Sequence, residues 1–390
     1  MRVCAYPRLA LILTTAAAVG LWSAHPLSAV TPTTDDARQV RADQWHLSHL
    51  KVAEAHRSSQ GEGVIVAVPD TGVYPHPDIQ RNLLVGKSLL PQTQSGGRTD
   101  PNGHGTAMAG IIGAHGQGEG IGALGIAPMA QILPIRSSTP GNVGDADRLA
   151  LAVEYAISEG ADVISISSGG GYSARLARAL ESAHTANVVV VAAAGNKPTD
   201  SAVIYPAAFD TVVAVGGTDR HGQHSHVSVT GHQVDVVAPA VDIYSINSNT
   251  GYRRSTGTSN STAIVAGAAA LVRSKYPYLP ADEVVHRLTA TAIDKGPPGR
   301  DDQYGYGVID LVAALTADVP PRGFGSASTA GPDGPGATTA AADGPPAGGE
   351  RAATVRGLVT LGVLVAAGGA WALFVRRRRR SDDPPPRISR

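Results

Sequence analysis

Sulfur and aromatic rings are scarce in this 390-residue chain: one cysteine, Cys4, three methionines, and aromatic residues at 4%. Cys4 lies among the residues that a signal peptidase would remove, so the mature chain is expected to carry no thiol. Disulfides, zinc–thiolate centres and cysteine catalysis are then excluded. Neither sign of charge is in surplus, since 32 Lys and Arg balance 32 Asp and Glu. A nucleic-acid surface needs a basic field, so no nucleic-acid partner is expected. No dense Asp/Asn loop of the EF-hand kind occurs, and neither a metal nor a cofactor is expected.

There is ample chain for one large core plus appendages. Arg2 and Arg8, an apolar run over Leu9–Trp22 and then Leu27-Ser28-Ala29 form the pattern of a secretory signal peptide, assigned to 1–29. The alternative, an uncleaved anchor, is disfavoured because the run is short for a span. Residues 30–60 are polar, contain Gln44-Trp45-His46-Leu47, and are predicted to form a helix over Leu50–His56. Residues 318–354 are mostly Pro, Gly, Ala, Ser and Thr, cannot bury a core, and read as a disordered linker. An apolar stretch follows at 355–375, long enough for a transmembrane helix. Arg376–Arg380 open a basic tail, 376–390. The positive-inside rule puts that tail in the cytoplasm and the main domain outside the cell membrane.

Between 61 and 317 the pattern alternates. Short β-branched runs at Val64–Val68, Ile132–Ile135, Asp162–Ser167 and Val188–Ala194 read as strands. Helices are predicted over His104–Ala114, over a stretch capped by Asp145 or Asp147 and ended by Gly160, and over Ser173–Ala186. Continuous apolar strands alternating with helices predict an α/β fold with a mostly parallel central sheet and helices on both faces. In such sheets, sites form outside the carboxyl ends of the strands.

Three distant segments offer an acid, a base and a hydroxyl: Val-Ala-Val-Pro-Asp-Thr-Gly at 66–72, Asn-Gly-His-Gly-Thr at 102–106 and Gly-Thr-Ser at 257–259. A serine hydroxyl needs an imidazole to take its proton, and the imidazole needs a carboxylate to fix its tautomer. Asp70, His104 and Ser259 supply that set. Each piece alone has a plainer explanation. Thr-Ser-Asn-Ser-Thr at 258–262 can be a helix-capping run. Asp-Thr-Gly also occurs in aspartic proteases, but those need two such carboxylates and the chain has one copy. His76 and Asp78 are expected to be structural. His221, His224, His226 and His232 are expected on a solvated loop. Asp100 is placed to stabilise the His104 loop, outside the catalytic set.

With His-Pro-Asp-Ile at 76–79, Ser-Ser-Gly-Gly at 167–170 and Ala-Ala-Gly-Asn at 193–196, the order and spacing of these segments resemble the subtilisin-like (S8-type) serine proteases. Asp…His…Ser is the chain order of subtilisin, unlike that of chymotrypsin or the α/β-hydrolases. The resemblance implies a subtilisin-like peptidase domain over 61–317 that the 30–60 extension wraps, with Trp45 and Leu47 as packing residues. It implies Asn196 as an oxyanion donor, Ser167, Ser168 and Gly169 as the substrate-binding strand, and Ala193, Ala194 and Gly195 as a wall of the specificity pocket. Three positions depart from the family pattern: Asn260 where Met is usual, Ala263 where Pro is usual, and Ser165 where Asn is usual. The first two supply no catalytic proton or donor, and the third bears on fine substrate geometry, not on the reaction class.

The order of signal peptide, extension, protease, Pro-rich tether, membrane helix and basic tail resembles the mycosins, membrane-anchored subtilisin-like proteases linked to type VII secretion in actinobacteria. The resemblance implies a tethered endopeptidase acting on exported proteins or peptides, with a type VII secretion membrane complex as partner. A broad-specificity surface protease and a mainly structural component of a secretion complex are the alternatives. Methionine beside a nucleophile is a common site of oxidative inactivation. With Asn260 there, peptidase activity is expected to withstand moderate peroxide; rapid loss traced to the active site would contradict this.

Overall fold

The computed structural model describes residues 34–91, 95–139 and 145–322. The segments read as signal peptide (1–29), transmembrane helix (355–375) and basic tail (376–390), and the stretch read as linker from residue 323 on, lie outside the described residues. Among the described residues no helix is long and apolar enough to cross a membrane.

Seven strands form one parallel sheet: β1 Ile65–Asp70, β2 Lys87–Ser88, β3 Gln131–Arg136, β4 Val163–Ile166, β5 Val189–Ala193, β6 Val213–Thr218 and β7 Val234–Pro239. Their order is β2-β3-β1-β4-β5-β6-β7, and every neighbouring pair is parallel. A hairpin, β8 Ile243–Ile246 and β9 Tyr252–Ser255, stands apart from the sheet order. β1 has β3 on one side and β4 on the other, so the strand order reverses at β1. A crevice opens outside the carboxyl end of a parallel sheet at such a reversal. Asp70, the last residue of β1, stands at that point.

Because successive side chains of a strand point to opposite faces, each strand feeds two cores. Val66, Val68, Val163, Val189, Val191, Val213, Val215 and Val236 face the first core. It is covered by α4 (His104–Gly113), α7 (Thr258–Lys275), α8 (Ala281–Ala290) and α9 (Leu311–Thr316). Ala67, Ile164, Ile166, Val190, Ala192 and Ala214 face the second, under α5 (Ala146–Ser158) and α6 (Ala174–Thr185). α7 is apolar on all sides over Ala263–Val272 and buried throughout that stretch, as a helix wedged between other layers must be. Its unbroken run through Ala263 fits the better helix propensity of alanine over proline.

Local signals act as expected in the middle of the domain. Asp145 is the cap of α5, accepting from Asp147 N and Arg148 N at 3.1 Å each. Ser173 caps α6. The N-terminal region differs from its expected form. Thr34–Asp43 is a helix, α1. The helix expected over Leu50–His56 is replaced by α2 (Trp45–His49) and α3 (Val52–Ala55), separated by Lys51 at φ 52°. The left-handed turn at Lys51 lets Leu50, Val52 and Ala55 all reach the first core. Trp45 and Leu47 pack against that core, and Trp45 Nε1 also donates to the Asp242 carbonyl at 3.1 Å.

His46 on α2 is fully buried, and neither ring nitrogen has a hydrogen-bond partner. Burial pushes its pKa down from 6.5 to about 3. Between those pH values the unfolded chain binds a proton that the folded chain refuses, so stability falls as pH drops below 6.5. At pH 5 this amounts to about 2 kcal/mol. His46→Leu is therefore expected to raise the melting temperature at pH 5 and flatten its slope between pH 7 and 4. Identical slopes in the two proteins would contradict this.

Candidate active site

Asp70 is carried to the edge by β1, and its side chain is almost wholly buried. His104 is the first residue of α4. Its Nδ1–H donates to Asp70 Oδ1 at 2.8 Å and Oδ2 at 2.9 Å. A carboxylate can only accept, so this contact places the ring proton on Nδ1 and leaves Nε2 as the basic lone pair. The adjacent Asp70 charge raises the His104 pKa above the ordinary histidine value, and burial opposes it.

The contact needs α4 to approach the loop after β1 very closely. At Gly105 a Cβ would lie 2.2 Å from the Gly72 carbonyl oxygen and 3.0 Å from Asp70 Cβ, so no larger residue fits. Asp100 ties the two pieces together. It is buried, and its Oδ1 accepts from Thr71 Oγ1 at 2.8 Å, Gly103 N at 2.8 Å and Asn102 N at 3.1 Å. Its Oδ2 accepts from Thr106 N at 2.9 Å and Thr106 Oγ1 at 2.6 Å. Thr71 Oγ1 in turn accepts from Gly105 N at 3.0 Å.

Ser259 is the second residue of α7, at the end where a helix has free N–H groups and a positive dipole. Its hydroxyl donates to the Ser167 carbonyl at 3.2 Å, and Ser167 Oγ donates to the Ser259 carbonyl at 3.3 Å. Ser259, His104 and Asn196 line one cavity of about 220 Å³. Among the described residues, no hydrogen bond joins Ser259 to His104. Asn196 follows β5. Its Oδ1 accepts from Thr258 N at 2.9 Å and Thr258 Oγ1 at 3.2 Å, which leaves Nδ2 as a donor. Asp200 Oδ2 accepts from Asn196 N at 2.7 Å and holds that turn. Asp200 and Thr258 were not singled out from the sequence. An Asp four residues past the Asn is the one sequence signal that could have found the first.

Ser167, Ser168 and Gly169 follow β4 as a half-exposed segment rather than as part of the strand. Gly169 is pressed against Tyr205, whose carbonyl oxygen would lie 2.4 Å from a Cβ there. Gly195 lies next to Asn196. Ala193 is buried, and Ala194 packs in a small core with Val234, Val237, Tyr304 and Val308. His76 and Asp78 are both fully buried, apart from this site, and Asp78 accepts from Gln117 Nε2 and Ala123 N at 2.7 Å each. Among the described residues, no group of three or more His, Cys, Asp or Glu is arranged to hold a metal ion.

The sequence pattern of the subtilase family (peptidase S8) matches residues 61–307. The chain belongs to that family, and it is a serine peptidase that hydrolyses peptide bonds. Subtilisin Savinase of Lederbergia lenta is 37% identical over 272 residues, 69% of this chain and 97% of that protein. Minor extracellular protease Epr of Bacillus subtilis (strain 168) is 34% identical over 292 residues, 74% of this chain, which spans only 44% of Epr. Among solved structures, the mycosin MycP1 with its N-terminal propeptide removed matches with a TM-score of 0.64 at 32% identity, over 71% of this chain and 98% of that one. The MycP3 protease of the type VII (ESX-3) secretion system matches with a TM-score of 0.64 at 34% identity, over 70% of this chain and 88% of that one.

The His104 ring is expected to titrate with a midpoint above pH 6.5. Asp70→Asn removes the charge and keeps the burial, so the midpoint should fall. Ring-proton NMR reads both; a midpoint at or below 6.5, or one indifferent to Asp70→Asn, would contradict the electrostatic account.

Proposed function

We propose that this chain is a membrane-anchored, extracytoplasmic serine endopeptidase that processes exported proteins in a type VII secretion context. Asp70, His104 and Ser259 are its triad, and Asn196 is its oxyanion donor. The observation that carries the catalytic reading is the His104 ring, held by both Asp70 oxygens and opening on the cavity that contains Ser259 and Asn196. The secretion context is supported by the likeness to MycP1 and MycP3. The membrane anchor is supported by the apolar stretch at 355–375 and the arginines after it.

Rotation of the Ser259 side chain from the Ser167 carbonyl toward Nε2 starts the reaction; catalytic hydrogen bonds commonly tighten only with substrate bound. Nε2 takes the hydroxyl proton as Oγ attacks the scissile carbonyl carbon. The carbonyl π pair moves onto oxygen, which meets Asn196 Nδ2 and the Ser259 N–H at the start of α7. Asp70 stays ionised and stabilises the imidazolium. His104 then gives its proton to the departing amine, the C–N bond breaks, and an acyl-serine ester remains. Water, deprotonated by His104, cleaves that ester. The acyl half of the substrate lies along Ser167, Ser168 and Gly169 as an added strand, with Ala194 and Gly195 beside the side chain before the cut.

A tether disfavours a freely diffusing degradative enzyme. A structural contribution to a secretion complex is compatible with an intact triad, and one variant separates the two. Ser259→Ala is expected to abolish fluorophosphonate labelling and to lower turnover of a peptide by about 10⁶-fold. If secretion persists with Ser259→Ala yet fails in a strain lacking the protein, the structural role is real. Release of the chain from membranes on deleting 355–375 tests the anchor.

A further inference from the structure

Arg253, on β9, borders two cavities. One is the cavity shared by His104, Asn196 and Ser259. The other, about 430 Å³, opens between α1 and the β8–β9 hairpin, with Tyr244 and Tyr252 in its wall. Arg253 is half-buried. Among the described residues its side chain makes one hydrogen bond, and that is long, 3.5 Å from Nη1 to the Asn102 carbonyl. No ion pair among the described residues includes it. Arg254, next along the strand, differs: it pairs with Asp242 at 3.6 Å and lies over the Tyr244 ring. Arg253 instead rests on the turn that carries the imidazole, since its Nη1 would be 3.3 Å from a Cβ at Gly103. Its charge opposes protonation of His104.

The side of the scissile bond follows from the geometry. Ser167 exchanges two hydrogen bonds with Ser259, so the 167–169 segment flanks the nucleophile. The cavity containing Arg253 does not include that segment. A peptide whose acyl half lies along 167–169 carries its amine half over the cavity instead. The amine half also receives the proton from His104, which keeps it beside Gly103 and Arg253.

We propose that Arg253 is a specificity-determining residue that recognises an Asp or Glu side chain in the first two residues after the cleaved bond. This rests on the triad reading above. A planar guanidinium without a protein carboxylate suits bidentate pairing with a substrate carboxylate. The same charge repels Lys or Arg at those positions, which adds discrimination.

Three internally quenched peptides test it, identical except for Glu, Gln or Lys in the two positions after the cut, with the full-length chain as enzyme. The expected order of kcat/KM is Glu over Gln over Lys, with a Glu-to-Gln ratio of about five that shrinks in high salt. Arg253→Gln should bring that ratio to about one, Arg253→Lys should retain a preference for Glu, and Arg253→Glu should favour Lys. Fluorophosphonate labelling of Ser259 reports whether each variant keeps an intact site. Cleavage and labelling without charge preference in the wild type, or a Glu preference that survives Arg253→Gln, would overturn the role of Arg253 alone. No cleavage and no labelling of the wild type would overturn the triad reading, and this inference with it.

Discussion

The site depends on one contact, an imidazole 2.8 Å from a carboxylate that lies 34 residues earlier in the chain. Neither partner could hold the other unaided. Asp70 is buried at a strand end, where an isolated carboxylate would be costly. His104 starts a helix whose first turn, at Gly105, must come almost into contact with Gly72. The Asp100 carboxylate resolves both problems. Its five hydrogen bonds join the loop after β1, the turn before α4 and the first turn of α4 into one unit. Charge-assisted bonds of this kind are the strong ones, and a buried carboxylate so fully satisfied is held in place. The imidazole is thereby aimed before any substrate arrives.

Ser259 is held from two sides by different means. On the side of Asn196, Asp200 fixes the Asn196 backbone while Thr258 fixes its side-chain carbonyl. On the other side stands Asn260, where the family usually has methionine. It is buried and fully engaged: Nδ2 donates to the Ala240 and Ser255 carbonyls at 3.0 and 3.1 Å, and Oδ1 accepts from Ser255 Oγ at 2.9 Å. A thioether has no donor for the two carbonyls and is only a weak acceptor for the hydroxyl. The substitution thus exchanges an oxidisable filler for a polar brace between α7 and the end of β9, the strand that carries Arg253.

Much of this was legible in the sequence where the signal is local. Strands β1, β3, β4 and β5 show as β-branched runs because parallel strands are apolar on both faces. The starts of α5 and α6 show because Asp145 and Ser173 cap them, and the end of α5 shows because Gly160 follows it. The three segments that carry Asp70, His104 and Ser259 show because each sets an unusual residue type in a tight glycine setting. The rest was hidden because its partners are remote. Leu50–His56 has helical composition, but burial of Leu50, Val52 and Ala55 together selects a left-handed Lys51 instead. The Ser259 hydroxyl turns to Ser167, 92 residues away, and nothing near Ser259 announces that choice. Asp100 was placed beside His104, yet its bond to Thr71 comes from tertiary approach alone.

The N-terminal segment illustrates how remote partners decide what belongs to a domain. Residues 122–124 form a stretch of backbone with almost no secondary structure to satisfy it. Gly122 N donates to the Ala37 carbonyl at 2.8 Å, and the Gly122 carbonyl accepts from Arg41 Nε at 2.8 Å. Ala123 N donates to Asp78. Leu124 N and its carbonyl both bond the buried Gln44 side chain, at 2.8 and 2.9 Å. Removing α1 and Gln44 would orphan four of those five groups, at about 1–3 kcal/mol for each one left buried and unmet. It would also take Val40 out of the first core. A segment that completes both the hydrogen bonding and the apolar packing of the body is part of that body, so the folded unit begins upstream of β1.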